Sequence, residues 1–97
     1  MPRKLTVTVL KDEKPFLNGT FDVADQDYPV IVNLLREVDM THGQAASMLS
    51  GYMHAGDVGK VTDEMGKLAM LAVVYMLEAG ETDIEIPLET GAAAPNA

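Results

Sequence analysis

Residues 68–77 read Leu68-Ala69-Met70-Leu71-Ala72-Val73-Val74-Tyr75-Met76-Leu77. The run carries no charge and is apolar on nearly every side of a helix. A bilayer-spanning helix needs about 20 such residues, so this run reads as a buried helix at the centre of a fold. Thr62, Asp63 and Glu64 mark its start, the acidic pair suiting the positive end of the helix dipole. Gly80 is its natural stop. The helix is expected from about Thr62 to Ala79.

On its C-terminal side, Ile84, Ile86 and Leu88 alternate with Glu85, Pro87 and Glu89. Period-two alternation predicts a short strand. Pro87 has no amide N–H to donate, which restricts that strand to a sheet edge. Residues 90–97 read as a flexible tail, and residues 1–89 as a single α+β domain.

On the N-terminal side, Leu5, Val7 and Val9 alternate with Thr6 and Thr8, a half-buried strand. Lys11-Asp12-Glu13-Lys14-Pro15 is a polar turn. Phe16 to Val23 predicts a second strand, with Leu17, Phe21 and Val23 on one face and Gly19 as a candidate bulge. Asn18-Gly19 is itself a hairpin signal and offers a second register. Asp25 or Asp27 can cap a following helix, with Pro29 in its first turn. Ile31, Leu34, Leu35 and Val38 form its amphipathic stripe, and Asp39-Met40 breaks it. Thr41 and Gln44 have the spacing of a capping box. Ala45, Met48, Leu49 and Tyr52 continue on one face of a second helix, weakened at Gly51, before a loop from Ala55 to Lys60. The order β-β-α-α-α-β predicts an α+β domain: an N-terminal hairpin, three helices and a C-terminal edge strand.

The chain has 97 residues, seven basic and fifteen acidic, for a net charge of −8. Residues 1–14 carry a net of +2 and the remainder −10. Such a surface repels nucleic acid and anionic lipid and attracts basic partners. Acidity also serves solubility alone. There is no cysteine, which excludes disulfides, thiolate metal sites and a thiol nucleophile. No signal-peptide pattern follows Pro2-Arg3-Lys4, and the expected compartment is the cytoplasm.

No motif for catalysis emerges. His42 and His54 lie twelve apart without a metal-binding spacing, and Ser47 and Ser50 stand outside any nucleophile elbow. Gly56-Asp57-Val58-Gly59-Lys60-Val61-Thr62 departs from a phosphate loop in its glycine spacing, and Asp57 would repel phosphate. Thr41 to Gly51 resembles the first helix and turn of a helix-turn-helix. The segment that would be the recognition helix, Tyr52 to Lys60, is glycine-rich with a single Lys. The expectation is a non-enzymatic protein without cofactor or metal.

Two surfaces are candidates for a partner. Glu78, Glu81, Asp83, Glu85 and Glu89 form an acidic group with no basic residue among them. Charge on an edge strand also guards against sheet-to-sheet aggregation. Met48, Tyr52 and Met53 are the candidate apolar patch, since methionine repacks easily at adaptable contacts. The apolar third helix and small size are compatible with a homodimer.

Leu5-Thr6-Val7-Thr8-Val9 followed by Phe21-Asp22-Val23-Ala24-Asp25-Gln26-Asp27-Tyr28 resembles the opening of some phage tail assembly chaperones. Those proteins also tend to end in a helix and short strand, here residues 68–88. The resemblance implies a non-enzymatic protein that binds a tape measure protein. The alternative is a phage-encoded inhibitor of host defence, of anti-CRISPR or nucleic-acid-mimic type, that binds a basic surface.

Overall fold

Alternation along residues 5–9 is realised as strand β1 (Arg3–Lys11), in which Leu5, Val7 and Val9 are fully buried and Thr6 and Thr8 are not. A computed structural model describes residues 3–88; Glu89 and the tail 90–97 fall outside it. Strand β2 (Lys14–Val23) pairs antiparallel with β1. The turn between them is Asp12-Glu13, both at positive φ, 54° and 66°. Two left-handed residues match the right-handed twist of a hairpin.

This register removes the Asn18-Gly19 turn, because Asn18 pairs with Thr8 and Gly19 with Val7 inside the ladder. Gly19 does not mark the bulge either. The register shifts between Val9 and Leu10, where Leu10 faces Pro15 and Val9 faces Leu17. Pro15 has no N–H to offer the ladder, so the irregularity falls beside it.

Helix α1 (Tyr28–Leu35) has Pro29 in its first turn, where a missing N–H costs nothing. Asp27 is the cap residue, but its side chain makes no capping hydrogen bond. The helix stops before Val38, and residues 36–38 tighten into turns in which Glu37 N–H bonds Leu34 O.

Helix α2 (His42–Asp57) starts with the predicted capping box. Gln44 N–H donates to Thr41 Oγ1 at 3.1 Å, and Gln44 Oε1 accepts from Thr41 N–H at 3.0 Å. The helix runs unbroken through Gly51, so Ala55, Gly56 and Asp57 are helical and not loop. An uninterrupted helix leaves no place for the turn of a helix-turn-helix. Gly59 ends it, at φ 71°, with Lys60 N–H bonded to Ala55 O and Gly59 N–H to Gly56 O.

Helix α3 (Asp63–Glu78) is capped by Thr62, whose Oγ1 accepts from Met65 N–H at 3.2 Å. It ends as α2 does: Gly80 has φ 88°, Glu81 N–H bonds Met76 O and Gly80 N–H bonds Leu77 O. This paired bonding satisfies carbonyls that the helix itself cannot.

Strand β3 (Asp83–Pro87) lies against β1 in parallel, giving the sheet order β2-β1-β3. The three helices connect β2 to β3, and α3 packs on α1, on α2 and on the sheet. Ala69, Ala72, Val73, Val74 and Met76 of α3 join Leu5, Val7, Leu49, Ile84 and Ile86 in one core. No polar or charged side chain is buried among the described residues. The opposite sheet face is polar, with Thr6 opposite Thr20 and Asn18 Nδ2 donating to Thr8 Oγ1. The architecture is α+β, as the element order predicts.

Candidate interaction surfaces

Tyr52 and Met53 face the sheet. The Tyr52 ring lies 5.9 Å from that of Phe21, tilted by 53°. Gly66 of α3 leaves room beside the same ring, and Gly19 leaves room for the Met53 methyl, which would stand 3.3 Å from an added Cβ. Met48, Tyr52 and Met53 are thus half-buried against the core. Their apolar area is largely spent on α2 packing against β2 and α3.

The uncovered apolar surface lies elsewhere. On α1, Val30 and Leu34 are 59% and 55% exposed; beyond its end Val38 is 44% exposed, and on α3 Leu68 is 39% exposed. Between these helices runs an open groove of about 450 Å³, floored by Ile31, Leu34, Val38, Met70 and Leu71. Glu37 and Lys67 are the two charged residues that line it. The α1 stripe that periodicity predicts is present, but only its Ile31 and Leu35 side is half-buried. Adjacent residues on a helix point about 100° apart, so Leu34 and Leu35 cannot both face one neighbour. That pair was the signal for an apolar face wider than the fold requires.

The acidic group divides. Glu78 accepts a 2.7 Å hydrogen bond from the Tyr28 hydroxyl and so serves the fold. Arg3, on the helix-facing side of β1, places its guanidinium 4.1 Å from the centre of the Tyr28 ring. Burial and then the Glu78 carboxylate push the Tyr28 hydroxyl up to about 12. Glu81 pairs with His42 Nε2 at 3.7 Å. Asp83 and Glu85 are exposed on β3, alternating with buried Ile84 and Ile86. Glu89 lies outside the described residues.

Among the described residues, no strand pairs with the outer edge of β3. Thr82 O accepts from Thr6 N–H and Leu88 N–H donates to Leu10 O, so even-numbered residues face β1. Strand alternation then turns the backbone groups of Asp83, Glu85 and Pro87 outward. Pro87 therefore removes a donor from the edge and none from the ladder.

Among the described residues, no group of three or more His, Cys, Asp or Glu is placed to hold a metal ion. No helix there is long and apolar enough to cross a membrane. No family model, curated protein or solved structure matches the chain.

Proposed function

We propose that the domain is a non-enzymatic protein-interaction module that docks its partner on the α1–α3 face. One observation carries this reading: Leu34 and Val38 line an apolar groove between α1 and α3 and remain exposed. Contiguous apolar surface of this kind marks contact sites. A groove between two helices suits an amphipathic helix that inserts side chains at i, i+3, i+4 and i+7. The specific form is a tail-assembly-chaperone-like protein, with a tape measure protein as partner. Copurification with a coexpressed tape measure protein, lost in Leu34→Asp, is the expected result. Absence of copurification with the unaltered chain removes the chaperone form.

A second reading draws support from exposed Asp83 and Glu85 on the edge strand β3. An inhibitor of host defence would use this acidic row against a basic channel. It predicts competition with DNA or RNA that weakens as salt rises. Binding that is unchanged at high salt rejects charge mimicry.

A further inference from the structure

We infer that a second copy of this chain occupies the α1–α3 groove when no other partner does, in a two-fold arrangement that brings Glu37 of each copy to Lys67 of the other. The inference rests on the docking role proposed for this face and names its resting occupant.

The charge lining the groove is the argument. The chain carries −8, so most ways of bringing two copies together oppose like charges. The groove does not, because its two charged lining residues are one Glu and one Lys. Neither is neutralised within its own chain: among the described residues, neither Glu37 nor Lys67 forms an ion pair. A two-fold contact is self-complementary, so whatever residue i meets, its symmetry mate meets too. A surface with one acid and one base beside an apolar floor meets that condition with two opposite-charge contacts per dimer. Leu34 and Val38 of each copy then cover the floor of the other, removing apolar area from water. A basic partner would not find the same complement here, since it would leave Lys67 opposed.

The test uses the full chain and light scattering after size exclusion, over a concentration series. The expected mass is twice the 10.4 kDa of one chain. Glu37→Lys and Lys67→Glu each create two like-charge contacts and are expected to weaken dimerisation about tenfold or more. An equimolar mixture of the two variants restores both opposite pairs in a heterodimer, and its dissociation constant should return to near that of the unaltered chain. Circular dichroism of each variant separates loss of pairing from loss of fold. A monomer throughout the series overturns the inference, as does a dimer indifferent to both reversals. If the chain is monomeric while Leu34→Asp still abolishes capture of the tape measure protein, self-pairing fails and the docking face stands. If Leu34→Asp changes neither mass nor capture, the docking face falls as well.

Discussion

The Tyr28 hydroxyl donates a 2.7 Å hydrogen bond to Glu78, joining the first turn of α1 to the last turn of α3 across fifty residues of sequence. With Arg3 over the ring, this contact links the start of β1, the start of α1 and the end of α3. It anchors α1, a helix of eight residues that is too short to be stable in isolation. Tyr28→Phe keeps the ring and removes the bond. Because Glu78 remains exposed and can turn to water, the expected loss is about 1 kcal/mol in chemical denaturation.

Burial of the Tyr28 hydroxyl, and then its bond to Glu78, set a pH dependence. The folded state holds the Tyr28 proton more tightly than the unfolded chain does, with a value raised from 10 to about 12. Its contribution is therefore complete below pH 10 and is lost as the pH rises from 10 toward 12. In that window, the stability of the unaltered chain should fall more steeply than that of Tyr28→Phe. Parallel curves for the two proteins would show that the contact does not carry this linkage.

The β1–β2 turn is built from residues poorly suited to it. Asp12 and Glu13 both have positive φ, where a side chain costs about 1 kcal/mol and Asn or Gly costs less. Asp12→Asn with Glu13→Gly is expected to raise stability by about 1 kcal/mol without moving the register. A denaturation midpoint that fails to rise would show that the turn is not under strain.

The two helix stops should behave alike. Gly59 and Gly80 take φ of 71° and 88° and have no atom within 4 Å of an added Cβ. Space is therefore not the obstacle to Ala, and backbone conformation is. Gly59→Ala and Gly80→Ala should each cost about 1 kcal/mol. Equal stability in either variant would contradict the left-handed stop.

Gly19 and Met53 form a coupled pair. An added Cβ at Gly19 would stand 3.3 Å from the Met53 methyl, the mobile end of its side chain. Gly19→Ala should be nearly neutral, whereas Gly19→Val should cost about 1–3 kcal/mol by overpacking. Met53→Ala should recover part of the valine cost. A double-mutant cycle with no coupling would place Met53 away from the sheet.

Much of the local chemistry was legible, though the Asp27 side chain does not make the capping bond its position suggests. The Thr41 and Gln44 spacing, the Gly80 stop and the alternation of Leu5, Val7 and Val9 are all complete statements about neighbouring backbone. Boundaries were less legible where two signals compete. Gly51 weakens a helix by roughly 1 kcal/mol, but Leu49 below it and Ala55 above it are buried, and α2 continues. Asn18-Gly19 is a strong turn pair that yields to pairing with Thr8 and Val7. Surfaces were the least legible. Periodicity identifies the stripe on α1 without saying what covers it, and Tyr52 reads as a patch until Phe21 is seen beside it. Glu78 reads as one of five carboxylates because its partner is distant in sequence.

The position of β3 has a consequence for synthesis on the ribosome. Its Ile84 and Ile86 complete the core beside Val7 and Val9, residues that precede them by more than seventy positions and are made well before them. The hairpin can form early, but one flank of β1 waits until β3 has been made. Pairing strands so far apart in sequence slows folding. Until residues 83–87 emerge, the nascent chain presents an open strand flank to its surroundings, and chaperone protection would matter most in that interval.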